Sequence, residues 1–108
     1  MWDTVCMAIG LWWEDKDADY IRSRSDRYAG AVDIEPVWTL EAVADPHQIN
    51  RDPDPKSRRG DIRVIGYSPS AGFVVTVIIR FADHSGANAW KTSGADLHAY
   101  QQGKEGTR

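Results

Sequence analysis

The sequence has only one cysteine, Cys6, and no long apolar run. A single cysteine excludes an intrachain disulfide, and because no ligand-spaced partner accompanies it, a zinc site is not predicted either. No stretch approaches the ~18–20 apolar residues that span a bilayer, and residues 1–13 lack the basic start and the cleavage pattern of a signal peptide. We therefore expect a cytoplasmic protein that does not enter a membrane.

The motifs of small-molecule enzymes are missing as well. The chain contains no Gly-rich phosphate loop, no metal-ligand spacing and no nucleophile signature. This absence makes a small-molecule enzyme the least favoured functional class, and it predicts that the protein uses neither a metal ion nor an organic cofactor.

Positive charge is scarce overall, but it is unevenly placed. The net charge of −3 by itself argues against a nucleic-acid partner, because phosphate binding depends on Lys and Arg. Residues 1–50 contain ten acids and four bases, whereas residues 51–108 contain six acids and nine bases. This asymmetry indicates either a face for an anionic ligand in the second half or uneven surface charge without consequence.

Length and composition predict one folded domain. With 108 residues, 42% of them hydrophobic and 27% charged, the chain has ordinary values for a globular domain. We place a single domain over residues 12–103 and a short tail at residues 104–108. Residues 1–11 are apolar, which is consistent with a covered strand or with a leader docked on the body, and the pattern does not separate the two.

The order of local patterns predicts an α+β fold. Two apolar runs, residues 62–68 and 73–80, are typical of strands, and the short turn between them allows only an antiparallel hairpin. The second run is apolar on both faces and is expected at the centre of its sheet. The other predicted elements are, in order, a helix from Asp15 or Asp17 to near Tyr28, a helix capped by Asp33 and ended by Asp45-Pro46, an exposed loop at 47–60, a short strand at 87–91, and a helix from Ser93 to Gln102 stopped by Gly103.

The second half of the chain brings basic residues to a loop and to strand surfaces. Alternation along a strand would place Arg63 and Arg80 on a sheet surface, beside the loop that carries Lys56, Arg58 and Arg59. Together they form a small platform for an anion such as phosphate, which the planar fork of Arg binds well. The alternatives are ion pairs of Arg63 and Arg80 with acidic side chains and a loop that is merely solvated.

Three short motifs and the order of the elements are distinctive. The motifs are Trp13-Glu14-Asp15-Lys16, Glu41-Ala42-Val43-Ala44-Asp45-Pro46 and Arg63-Val64-Ile65-Gly66-Tyr67-Ser68. Followed by a final helix that ends in Tyr-x-x-Gly, they resemble BrnT-family toxins, which belong to the RelE-like ribonucleases of bacterial toxin–antitoxin systems. The resemblance covers about residues 12–103.

The resemblance implies a small RelE/BrnT-like fold, with two N-terminal helices packed on a mainly antiparallel sheet and a C-terminal helix. It implies a toxin component that binds RNA, such as mRNA, and acts as a metal-independent endoribonuclease that inhibits growth. It also implies a cognate antitoxin as partner, in a toxin–antitoxin hetero-oligomer, with a homodimer as the other compatible assembly.

The chemistry of metal-free RNA cleavage determines the candidate site residues. Such cleavage needs a cation at the scissile phosphate and groups that transfer protons. His84 is a candidate because histidine titrates near neutral pH, and Trp90 because a base could stack on it; the ordinary alternatives are a turn residue and a packed tryptophan. The candidate catalytic residues are Arg63, Arg80, His84 and Lys91, and the candidate RNA-binding residues are Lys56, Arg58, Arg59, Tyr67 and Trp90.

The chain departs from the family pattern near the last helix. Trp90 lies in the stretch where family members usually have an arginine. A tryptophan cannot stabilise a pentavalent phosphate electrostatically. The alternative hypothesis is therefore a catalytically silent RelE-fold binding module that acts through protein–protein or nucleic-acid contacts. The departures are Asn88-Ala89-Trp90 where family members usually have an arginine, and Ser93-Gly94-Ala95-Asp96-Leu97-His98 where they have an Arg-rich helix.

Overall fold

The computed structural model describes residues 10–106 and shows three α-helices and a four-stranded sheet within them. The strand order is β1-β2-β3-β4, and every neighbouring pair is antiparallel. The predicted α+β class is confirmed. The elements are α1 (Asp15–Arg22), α2 (Pro36–Ala44), β1 (Ile49–Arg51), β2 (Ile62–Ser68), β3 (Phe73–Ile79), β4 (Gly86–Lys91) and α3 (Gly94–Gly106), with a 3₁₀ turn at Arg24–Asp26.

The hairpin of β2 and β3 forms the centre of the sheet, as predicted. Ser68 pairs with Phe73 at its closed end, and the backbone N–H of Gly72 donates to the Ser68 carbonyl at 2.8 Å. Gly72 has a φ of 81°, a left-handed conformation that glycine adopts without strain. The β3 strand lies between β2 and β4, which explains why both of its faces are apolar.

The hydrophobic core lies between one face of the sheet and the helices α1 and α2. Alternate residues of the strands, such as Val64 and Val77, point into this core and are fully buried. Helix α2 approaches β2 so closely that a Cβ on Gly66 would lie 2.1 Å from the carbonyl oxygen of Ala42. Glycine at position 66 is therefore a packing requirement, because any side chain would push the helix away. The core cluster comprises Ile21, Ile34, Ala42, Val43, Ile62, Val64, Val75, Val77, Ile79 and Ala89, with Trp13 and Trp38 packed against it.

Two helix boundaries differ from the sequence prediction. Asp33 does not cap α2, which begins at Pro36; its carboxylate instead accepts hydrogen bonds from the N–H and the hydroxyl of Ser25, at 2.8 and 3.1 Å. Helix α1 ends at Arg22, well before Tyr28. The hydroxyl of Ser23 donates to the carbonyl of a residue one turn earlier, and the chain then tightens into the 3₁₀ turn.

Two further elements were wrong in the prediction. The segment 47–60 was expected to be a loop throughout, but Ile49–Arg51 forms β1, with Asn50 opposite Val64. Three residues are too few for a periodic pattern to reveal a strand. At the other end, α3 begins at Gly94 and continues through Gly103 to Gly106, because a glycine stops a helix only when it turns left-handed.

The N-terminal segment is described only from Gly10 onward, so Trp2, Cys6 and most of the predicted 1–11 segment lie outside the described residues. Trp12 forms a parallel bridge with Ser85, and its carbonyl accepts the N–H of Gly86 at 2.8 Å. Between residues 10 and 106, no helix is long and apolar enough to cross a bilayer.

Candidate functional site

A groove of about 640 Å³ brings together many charged side chains. One wall is the sheet face opposite the core, where Arg63, Ile78 and Asn88 stand in one row across β2, β3 and β4. Asp17 and Tyr20 contribute from α1. Because these residues alternate with core residues along their strands, the same register that buries the core also builds this wall.

The second wall is the loop at residues 52–61, which is closed by its own hydrogen bonds. The backbone N–H of Asp54 donates to the carbonyl of Asp61 at 2.7 Å. The hydroxyl of Ser57 accepts the N–H groups of Arg59 and Asp61 at 3.1 and 3.0 Å. Gly60 allows the reversal with a φ of 77°. The loop is thus a defined structure that holds its basic side chains over the sheet.

The loop presents Lys56, Arg58 and Arg59, all of which are exposed and line the groove. Among residues 10–103, whose side chains the structure describes, neither Arg58 nor Arg59 forms an ion pair through its guanidinium. Lys56 lies near Asp96 and helps to lower the pKa of that carboxyl group. The two arginines are therefore the groove cations with their hydrogen-bonding capacity available to a ligand.

Arg63 is held by two carboxylates beneath the loop. Arg63 is only 8% exposed, and its Nε donates to Asp54 Oδ2 at 3.0 Å. Its Nη1 donates to Asp96 Oδ2, also at 3.0 Å. The other oxygen of Asp96 accepts Nη1 of Arg51 at 2.8 Å, and this hydrogen bond lowers the pKa of Asp96 despite partial burial. The ion-pair alternative weighed for Arg63 is confirmed, and the pair joins the loop, β2 and α3.

Arg80 is similarly engaged at the end of β3. Its guanidinium contacts both oxygens of Asp17, at 3.2 and 3.4 Å, and the hydrogen bond to Asp17 raises the pKa of Arg80. The same group donates to the hydroxyl of Ser85 and to the carbonyl of Gly86, each at 3.0 Å. The ion-pair alternative is confirmed here too. Arg80 lines the groove but is fixed as a link between α1 and the β3–β4 loop.

Trp90 lines the groove and packs among guanidinium groups. The central carbon of the Arg63 guanidinium lies 5.3 Å from the centre of a Trp90 ring, and that of Arg24 lies 5.9 Å away. Arg24 is itself oriented by a hydrogen bond to Asn88 Oδ1 at 3.1 Å. These are cation–π distances. The geometry therefore favours the packed alternative for Trp90 over an open platform for a base.

Three predicted site residues do not line the groove. His84 lies in the β3–β4 loop with a φ of 62°, where its backbone N–H donates to the Arg80 carbonyl. Lys91 Nζ lies 5.1 Å from the ring centre of Phe73, which packs against the core. Tyr67 lines a separate cavity of about 300 Å³ near α2. None of these three predicted site residues therefore contributes to the lining of the groove.

Sequence reasoning missed Tyr20 and the carboxylates that hold the arginines. A hydrogen bond with Tyr28 lowers the pKa of Tyr20, and the guanidinium of Arg27 lies over its ring at 3.8 Å. Only the tertiary fold brings Tyr20 to the groove, so no local pattern could have identified it. Phe81 was also missed, because it continues an apolar strand pattern and was not singled out, yet it is 62% exposed.

No group of three or more His, Cys, Asp or Glu side chains among residues 10–103 is arranged to hold a metal ion. The site therefore consists of a loop that presents three exposed basic side chains, a polar sheet face and two arginines neutralised by carboxylates. No protein-family model matches this chain, and no curated protein matches it significantly.

Proposed function

We propose that this protein is an RNA-binding module that holds the phosphates of its ligand in the groove. The main support is that Arg58 and Arg59 project from a closed loop, line the groove and form no ion pair with the described side chains of residues 10–103. Arginine binds phosphate through two parallel hydrogen bonds, so two neighbouring arginines that form no ion pair are well suited to bind a polyanion.

The charge balance of the groove supports an anionic ligand. Its lining includes five basic and three acidic residues. Asp54 and Asp17 are bound to Arg63 and Arg80, which leaves the three basic residues of the loop facing Asp61. The excess positive charge of the groove lining is therefore carried by Lys56, Arg58 and Arg59, although the chain as a whole is acidic.

Binding without cleavage is better supported than cleavage. Arg63 and Arg80 both line the groove, which favours a metal-independent endoribonuclease as the second candidate function. Their guanidiniums are already bound by carboxylates, however, and the other two candidate catalytic residues, His84 and Lys91, do not line the groove. The geometry is thus closer to the catalytically silent alternative.

The resemblance to BrnT-family toxins supports a specific cellular role for this RNA-binding module. In this proposal the protein is the RelE-like toxin component of a toxin–antitoxin pair, and a cognate antitoxin binds it. The three motifs quoted above support this part of the proposal, and the groove is the surface through which the protein would act on RNA.

The proposal predicts a specific change in salt dependence when Arg58 and Arg59 are replaced. The variant Arg58→Ala/Arg59→Ala should bind a fluorescent RNA oligonucleotide more weakly. Its plot of log affinity against log salt concentration should be flatter by about 1.4, because each phosphate contact to a single strand contributes roughly 0.7. Fluorescence anisotropy at several salt concentrations measures this slope.

The matched control removes two positive charges away from the groove. Lys16→Ala/Arg22→Ala changes exposed side chains of α1 that do not line the groove. It should leave the slope nearly unchanged. Equal slopes for the wild type and the Arg58/Arg59 variant would contradict the proposal. RNA recovered intact after incubation supports the binding module, whereas cleaved RNA would support the endoribonuclease.

A further inference from the structure

Phe81 is an exposed aromatic residue beside the groove. It follows Arg80 at the end of β3, and 62% of its surface is accessible to solvent. Among the side chains described, those of residues 10–103, its ring makes no contact with another aromatic ring or with a cation. Its ring face is therefore open to solvent, and aromatic rings are the side chains on which nucleic-acid bases stack.

A second cavity connects Phe81 to the groove. This cavity, of about 220 Å³, is lined by Phe81 and Ala82 together with Arg59, Asp61 and Arg80. The last three residues also line the groove, so the two cavities adjoin each other. The open ring therefore lies next to Arg59, one of the two unpaired arginines of the loop.

We propose that the ring of Phe81 stacks on an unpaired base of the RNA strand whose phosphates are bound by Arg58 and Arg59, so that the ligand is single-stranded. This inference rests on the proposed function and names its substrate class. In a duplex, neighbouring base pairs cover both faces of each base, and a protein aromatic ring cannot reach them without unstacking. In a single strand these faces are open, and every base offers one.

The other aromatic residues near the groove are already engaged. Guanidinium groups contact Trp90 from Arg24 and Arg63, and Arg27 covers the ring of Tyr20. Among the aromatic residues that line the two adjoining cavities, Phe81 is the one whose ring has no such contact with a described side chain. Stacking is thus assigned to Phe81 rather than to Trp90, which the sequence had suggested.

A protein partner is the competing occupant of an exposed phenylalanine. The shared lining favours RNA, because an unpaired arginine beside an open ring matches the alternation of phosphate and base along one strand. A protein contact would require only the apolar area of the side chain. The two occupants therefore differ in whether the aromatic face itself is needed.

The test compares Phe81→Ala, Phe81→Leu and Phe81→Trp with the wild type. Fluorescence anisotropy measures binding to a labelled 12-nucleotide RNA of mixed sequence that cannot pair with itself, and to the same strand annealed to its complement. Phe81→Ala should weaken single-strand binding roughly 5- to 150-fold, which is the range for loss of one stacked base. Phe81→Leu should behave like Phe81→Ala, and Phe81→Trp should retain or improve affinity.

The outcomes separate this inference from the proposed function. Duplex affinity should be the same for all four proteins, and the salt slope should not change in Phe81→Ala because no charge is lost. If Arg58→Ala/Arg59→Ala weakens binding while Phe81→Ala does not, the stacking inference is wrong and the groove proposal stands. Full retention in Phe81→Leu would indicate an apolar contact and also overturns the inference. A wild-type protein that binds neither RNA overturns both.

Discussion

Replacing Arg63 should destabilise the fold rather than selectively remove an activity. The sequence suggested Arg63 as a catalytic cation, but the structure buries it against Asp54 and Asp96. In Arg63→Ala, the carboxylate of Asp54, whose residue is only 4% exposed, would lose its cation. The backbone N–H of Lys56 would still donate to it, which does not neutralise its charge.

The magnitude follows from the burial of both partners. Removing one member of a buried ion pair costs about 3–5 kcal/mol, because the remaining charge is left without compensation. A domain of this size shifts its Tm by roughly 4 °C or more for each kcal/mol. We therefore expect the Tm of Arg63→Ala to fall by about 12 °C or more, with a matching decrease in the urea midpoint.

Urea denaturation followed by circular dichroism measures the free energy of unfolding directly. Arg22→Ala is the control, because its ion pairs with Asp19 and Glu35 are exposed and should be worth less than about 1 kcal/mol. The double variant Arg63→Met/Asp54→Leu removes both buried charges and should be more stable than Arg63→Ala. An Arg63→Ala protein within about 1 kcal/mol of the wild type would refute the reasoning and return Arg63 to the list of candidate catalytic residues.

Two further predictions concern acid stability and packing. The hydrogen bond from Arg51 lowers the pKa of Asp96, so its carboxylate stabilises the fold above the unfolded-state value of about 3.9 and this stabilisation is lost as the pH falls through the lower folded-state value. The difference in unfolding free energy between the wild type and Asp96→Asn should therefore shrink on acidification to pH 3, and a difference that is constant from pH 7 to pH 3 would contradict this. Gly66→Ala should destabilise by about 1–3 kcal/mol or more in urea denaturation, because the new methyl group meets the backbone of α2. Gly103→Ala, where a Cβ has open space in a helix, should stabilise by roughly 0.5–1 kcal/mol, and the two variants behaving alike would rule out the packing explanation.

The hairpin and the general fold class could be predicted because their signals are local. The apolar runs of β2 and β3 and the short turn between them determine an antiparallel pair without help from distant residues. The same holds for the end of α2 before Pro46, since the residue that precedes a proline disfavours helix. By contrast, Asp33 matched a capping pattern, but its carboxylate accepts a hydrogen bond from Ser25 instead. Only the position of the 3₁₀ turn in the fold brings these two residues together.

The candidate site was predicted only in part, because charged side chains choose partners across long sequence separations. The basic loop and the positions of Arg63 and Arg80 in the groove followed from strand alternation. Ion pairs of these two arginines were one of the alternatives, but the sequence did not identify the partners Asp96 and Asp17, which lie 33 and 63 positions away. In the sequence, Asp17 and Asp96 are acidic residues of predicted helices, and no local feature marks them as partners of an arginine.

The closure of the loop at residues 52–61 means that its cations are preorganised. A flexible loop would have to give up conformational freedom when it met a ligand, at about 1–2 kcal/mol for each backbone residue that became fixed. Here the hydrogen bonds of Ser57 and the ion pair between Asp54 and Arg63 fix the backbone during folding. Encounter with a polyanion therefore needs only side-chain adjustment of Arg58 and Arg59, so more of the interaction energy is expressed as affinity.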